Sequence, residues 1–162
     1  MKKMLILEDE IAVAKAIRDS WEAQYETTIV SDLPDFDEYL LESPGMLAYD
    51  AVLMDLSLDL GAWAKNGLTK VFPEMRGPII VNGTSVELPI RARGVVLHGL
   101  TYLRQRILSN PKYRDIAKAR FTLISGHVPF VKEEHVFQRY DIDFPIDRLI
   151  DKGVDFSTNL RL

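Results

Sequence analysis

The sequence predicts an α/β chain built on a doubly wound parallel sheet of about five strands, and three observations carry that reading. Short continuous apolar runs at Met4 to Leu7 and Ala51 to Met54 are each followed directly by acid, as suits strands buried on both faces. Segments of helical period alternate with such runs as far as Leu56. With 162 residues, 47% of them hydrophobic, the chain has enough apolar material for one sizeable core, so a single domain over 1–162 is expected.

Taken in order, Met4 to Leu7 reads as the first strand. From Ile11 to about Tyr25 the residues Ile11, Ala14, Ala16, Ile17 and Trp21 fall near one side of a helix, with Lys15, Arg18, Asp19 and Glu22 on the other. Thr27 to Val30 is β-branched and short. Ser31-Asp32-Leu33-Pro34 then combines capping residues with a proline at the start of a second helix that runs to about Glu42 and ends at Ser43-Pro44-Gly45. Ala51 to Leu56 is the third strand. The alternation breaks after Asp55, where frequent glycine and proline mark an insertion at about 60–93. Within it Ile79 to Val81, Asn82-Gly83 and Thr84 to Leu88 read as a β-hairpin, because Asn-Gly readily takes the positive φ angles of a type I′ turn. Helical spacing resumes from Val95 to Leu108, Phe121 to Gly126 is a fourth strand with its turn, and Val128 to Phe144 shows no clean period. Pro145 to Lys152 is expected as a short helix capped by Gly153, with a last strand near Val154 to Ser157 and no evident last helix.

Composition excludes several classes. A formal net charge of −4 leaves no basic surplus for a phosphate backbone, so direct nucleic-acid binding is not expected. No cysteine is present, which rules out disulfides and thiolate metal sites. No apolar run approaches the roughly 20 residues of a membrane span, and Glu8-Asp9-Glu10 cuts short the signal-like start. A cytoplasmic location without membrane attachment is the expectation. His98, His127 and His135 match no zinc spacing.

In parallel sheets ligands collect beyond the carboxyl ends of the strands. Glu8 and Asp9 end the first strand, Asp55 the third and Ser125 the fourth. Carboxylates gathered there repel one another unless a cation joins them, and hard oxygen ligands suit Mg²⁺. A carboxylate beside such a cation can act as a nucleophile toward a phosphoryl group, which makes Asp55 the candidate acceptor. Taken singly, each feature has a plainer reading. Acids at a strand end can be solvated or can open a helix, and Ser125-Gly126 alone is an ordinary turn.

The runs Leu5-Ile6-Leu7-Glu8-Asp9-Glu10, Tyr49 to Leu56 and Leu123-Ile124-Ser125-Gly126, in this order, resemble the receiver domain of response regulators, a flavodoxin-like fold. The resemblance implies Glu8 and Asp9 as the acidic Mg²⁺ pair, Asp55 as the phosphorylated aspartate and the backbone carbonyl of Ser57 as a further metal ligand. Ser125 would hydrogen-bond the phosphoryl group, and His98 to Arg104 is similar to the family's third helix. The switch aromatic looks like Phe156, three residues before the position of the family's lysine, which here is Asn159. On this alignment the lysine is missing, with Arg161 or Lys152 as spatial substitutes. A core role competes for Phe156. The chain also departs from the family in the insertion after Asp55 and in the absent last helix, which leaves part of one sheet face for the insertion or a partner to cover.

The leading expectation is a signalling receiver that accepts a phosphoryl group on Asp55 with Mg²⁺ and switches a protein-interaction surface. Its implied partners are a histidine kinase or phosphotransfer protein and a downstream protein, with a homodimer left open. Any catalysis would be confined to self-phosphorylation from a phosphodonor and autodephosphorylation. The alternative is a phosphorylation-independent pseudo-receiver that serves as an interaction or dimerisation module. An aspartate-nucleophile phosphohydrolase ranks below both, because that chemistry wants a general acid two residues after the nucleophile and Ser57 stands there.

Overall fold

In the computed structural model, which describes residues 1–42, 44–58 and 72–153, the chain opens with strand β1 (Lys2–Leu7), helix α1 (Ile11–Trp21), strand β2 (Tyr25–Val30), helix α2 (Leu33–Leu41) and strand β3 (Ala51–Asp55). Two small hairpins follow, β4 (Gly77–Val81) with β5 (Thr84–Leu88) and β6 (Arg91–Ala92) with β7 (Val95–Val96). Helix α3 (His98–Tyr102) continues as a π-helical segment over Leu103–Leu108, and helix α4 (Pro111–Arg120) leads into strand β8 (Phe121–Ser125). Two short helices, α5 (Val128–Glu133) and α6 (Val136–Arg139), precede strand β9 (Leu149–Asp151).

Five strands form the central sheet in the order β2-β1-β3-β8-β9, with every pairing parallel. Counting only these five strands, the order is that of a flavodoxin-like doubly wound sheet, whose ligands gather at the carboxyl ends of the strands. Side chains alternate as the pleat requires. Met4, Ile6, Ala51, Leu53 and Ile124 share a small core with Ile17 of α1. Leu5, Leu7, Val52, Met54, Phe121 and Leu123 enter a much larger core with α2, α3 and the hairpin region.

The Asn-Gly hairpin forms as the sequence predicts, with φ of 50° at Asn82 and 79° at Gly83, and α2 begins where expected, the Asp32 carboxylate accepting the Asp35 N–H at 2.9 Å. Two expectations are corrected. Val95 and Val96 are not the start of a helix but the return strand of a second hairpin that turns at Arg93-Gly94. The helix over Pro145 to Lys152 is replaced by a single 3₁₀ turn at Ile146–Arg148 and strand β9, because Leu149 and Ile150 gain a parallel partner in β8. The strand expected near Val154 to Ser157 lies outside the described residues. Within Val128 to Phe144, where no period was legible, the chain makes α5 and α6.

The inserted region joins the large core. Phe72 is 1% exposed and meets the Tyr102 ring edge-on at 5.5 Å, and Tyr102 meets Phe36 of α2 in the same way at 5.8 Å. Arg106 stacks on Phe72 and bonds Asp37 of α2 and Glu74 of the insertion at 2.9 Å each. Among the described residues no part of the insertion enters the α1-side core. Replacing Arg106 with methionine should lower the unfolding free energy by about 1–2 kcal/mol, since the ion pairs are only partly exposed, and should speed proteolysis of the insertion; chemical denaturation and limited proteolysis test both. Among the described residues no helix is long and apolar enough to cross a membrane.

Candidate functional site

The carboxyl ends of four adjacent strands converge on one acidic centre. Glu8 follows β1 and Asp55 ends β3, and both side chains are fully buried. Parallel pairing puts them there, since Leu7 pairs with Met54 and Asp55 pairs with Ile124. Ser125, also fully buried, ends β8 and accepts the His127 N–H on Oγ at 2.9 Å. Its hydroxyl hydrogen is therefore left to donate elsewhere. The Ser57 N–H donates to Asp55 Oδ1 at 3.1 Å and fixes the orientation of that carboxylate.

Lys152, immediately after β9, completes the group. Its Nζ lies 2.9 Å from Asp55 Oδ2, 2.9 Å from Glu8 Oε2 and 3.5 Å from Glu10 Oε1, and its side chain is 13% exposed. The position is dictated by β9, because the Lys152 N–H donates to the Ser125 carbonyl at 3.1 Å and continues the β8–β9 ladder by one residue. Of the two spatial substitutes that the sequence offered for the family's lysine, Arg161 lies outside the described residues and Lys152 stands at the site. Lys152, named beforehand only as a spatial substitute, supplies the charge next to Asp55, while Asn159 and Phe156 lie outside the described residues. Three residues before Lys152, the spacing expected of the switch aromatic, stands Leu149, 4% exposed and aliphatic.

Burial raises the pKa of Glu8. Asp55 is pushed up to about 7, first by burial and then by the neighbouring Glu8 charge, against the pull of Lys152. Burial also works against the Lys152 ammonium, but the hydrogen bonds and charges of Asp55 and Glu8 outweigh it and hold the amine above its usual range. One ammonium thus serves two buried carboxylates, and the centre is short of positive charge.

Glu8, Asp9 and Asp55 each place a carboxylate oxygen within 4.8 Å of the other two, a donor set of hard oxygens that can hold a divalent cation. Glu8 Oε2 fits that role, for despite the nearby ammonium it receives no hydrogen bond of good geometry. Of the trio Glu8-Asp9-Glu10, Glu10 is the N-cap residue of α1 without a side-chain cap bond, while α1 itself begins at Ile11 and has no acid in its first turn.

Beside this centre α3 makes an unusually close approach. The Gly99 N–H donates to the Leu56 carbonyl at 2.9 Å, and a Cβ at Gly99 would lie 2.0 Å from the Asp55 carbonyl oxygen. Sequence reasoning passed over Gly99, whose only local signal is a glycine inside a helical pattern.

No family model matches the sequence, and no curated protein matches it significantly. The structure is similar to that of the bacteriophytochrome response regulator AtBRR, with 15% sequence identity and a TM-score of 0.54, over 96% of this chain and 85% of that one. The fold is that of a response-regulator receiver. Within this receiver fold, Glu8, Asp9, Asp55, Ser57 and Ser125 all stand at the carboxyl edge of the sheet where the sequence led us to seek them, and Lys152 joins them from β9.

Proposed function

We propose that this chain is a signalling receiver that takes a phosphoryl group on Asp55 and presents the change to a protein partner. The observation that carries the proposal is the bond from Lys152 Nζ to Asp55 Oδ2 at 2.9 Å, in a centre that also contains Glu8 and lies at the strand ends of a receiver fold. An Asp55 carboxylate oxygen attacks the phosphorus of a phosphohistidine on a kinase or phosphotransfer protein. A P–O bond forms, the P–N bond breaks, and the released imidazole takes up a proton.

Ser57 orients Asp55 through its N–H, Lys152 balances charge on the acyl phosphate, and the Ser125 hydroxyl donates to a phosphoryl oxygen. Glu8, Asp9, Asp55 and the Ser57 carbonyl would hold Mg²⁺, which when bound neutralises equatorial phosphoryl oxygens. Any turnover is limited to this self-phosphorylation and its hydrolysis, in a cytoplasmic setting.

Intact mass after incubation with acetyl phosphate and Mg²⁺ tests the reading. One added phosphoryl group is expected, lost in Asp55→Asn and in metal-free protein. No gain in folded protein would transfer support to the pseudo-receiver, an interaction or dimerisation module that works without phosphate. The aliphatic Leu149 three residues before Lys152 favours that second reading, because it offers no ring to turn between two positions.

A further inference from the structure

The second hairpin borders the phosphoryl-acceptor centre, although no step of the receiver chemistry above involves it. A cavity of about 570 Å³ at the mouth of that centre is lined by Asp9, Glu10, Ser57, Leu58, Val95 and Val96. Its lining is divided in character. Asp9 and Glu10 come from the turn after β1, Ser57 and Leu58 from the turn after β3, and the two valines from β7. Leu58 and Val95 also pack on the large core, but Val96 is half-buried and among the described residues packs on neither core. Core packing therefore does not account for Val96.

This wall is tied down at both ends. At its base the Leu97 N–H donates to the Ile90 carbonyl at 2.8 Å. The buried Thr101 hydroxyl accepts the Ile90 N–H at 2.9 Å and donates to the Leu97 carbonyl at 2.8 Å. At its tip the Arg93 guanidinium pairs with Glu133 at 3.0 Å and lies over the Phe130 ring at 4.5 Å, while both Glu134 carboxylate oxygens accept the Arg93 N–H at 3.1 Å. Phe130 stacks on His127, whose N–H bonds Ser125. The hairpin thus joins α3, which touches Asp55, to α5, which follows Ser125. The Arg93 and Glu133 side chains are 52% and 61% exposed, so their pairing fixes the position of the hairpin more than it strengthens the fold.

We infer that Val96 is a donor-selecting residue of the phosphotransfer reaction, packing the imidazole ring of the incoming phosphohistidine, and that Arg93 is a positioning residue that holds it there. The inference rests on the receiver reading of Asp55. An imidazole leaving group is flat and largely apolar. It departs with the electron pair of the P–N bond and gains a proton, so it suits a cavity that joins valine to carboxylates. Acetate, the leaving group of acetyl phosphate, would carry negative charge toward the same acids. Apolar contact with the ring fixes the approach of the phosphorus to Asp55.

Rate constants for labelling of Asp55 by phosphoimidazole and by phosphoramidate, read by intact mass in the presence of Mg²⁺, test the inference. Both donors break a P–N bond, and only the first carries the ring. Val96→Thr keeps the β-branched shape and should lower the ratio of the phosphoimidazole to the phosphoramidate rate constant by about fivefold. Arg93→Asn tolerates the φ of 47° at that position and should lower the ratio by about threefold. Ile80→Thr, at an exposed position of the first hairpin, should leave both rate constants unchanged. An unchanged ratio in Val96→Thr or Arg93→Asn, or equal falls with both donors, would overturn the inference and leave the receiver reading standing. Folded wild type that is labelled by neither donor nor by acetyl phosphate would overturn both.

Discussion

Replacing Lys152 with alanine should lower the unfolding free energy of the metal-free protein by about 3–5 kcal/mol, the usual loss when one partner of a buried ion pair is removed. Glu8 and Asp55 are both fully buried, and both rely on the Lys152 ammonium at 2.9 Å. Without it two carboxylates share a dry site, and at least one must take up a proton. The pH dependence has a definite sign. Folding raises the pKa of Glu8 and takes Asp55 to about 7, so between about pH 4 and 7 the folded state binds more protons than the unfolded one. Stability contributed by these groups is complete below their unfolded values and is lost as the pH rises through the folded ones. The raised pKa of Lys152 acts only far above this window.

Urea denaturation at pH 5 and pH 8 without divalent ions should therefore show the wild type less stable at pH 8, with the gap wider in Lys152→Ala. Mg²⁺ should raise the melting temperature of both proteins and that of Lys152→Ala by more, because a dication replaces the missing charge without competing with the ammonium for the same oxygens. A Lys152→Ala protein as stable as wild type at pH 8 would mean that the ion pair is not what holds these acids.

A second large effect is expected at Gly99. Its hypothetical Cβ meets the Asp55 carbonyl oxygen at 2.0 Å, and the Asp55 carbonyl carbon and the Leu56 Cα at 3.1 Å each. All three contacts are main chain within a buried strand end, so no side chain can swing aside. Gly99→Ala must push α3 off β3, breaking the Gly99 N–H to Leu56 bond and disturbing the turn in which the Ser57 N–H orients Asp55. A loss of about 2–4 kcal/mol is expected, with slower phosphorylation by acetyl phosphate in whatever fraction remains folded. Gly126→Ala is the control, since a Cβ there meets nothing within 4 Å, and should change stability by less than about 0.5 kcal/mol. Thermal melts of the two variants side by side decide the matter.

Much of this protein was legible before its fold was seen. Met4 to Leu7 and Ala51 to Met54 are uninterrupted apolar runs, Phe121 to Ile124 is broken only by Thr122, and burial on both faces of a parallel sheet accounts for all three. Once these strands are parallel, Glu8, Asp55 and Ser125 must arrive at the same edge. The Asn82-Gly83 hairpin and the Asp32 cap were equally visible, because each depends on the conformational preference of one or two residues. What tertiary structure alone decided is the cation. Leu149 to Asp151 carry no period of their own, and they become a strand because β8 offers a free edge. That pairing draws Lys152 to Glu8 and Asp55 across separations of 144 and 97 residues. The approach of Gly99 to Asp55 and the docking of Phe72 against Tyr102 are of the same kind, since local preference selects a conformation but packing between distant segments selects the neighbour.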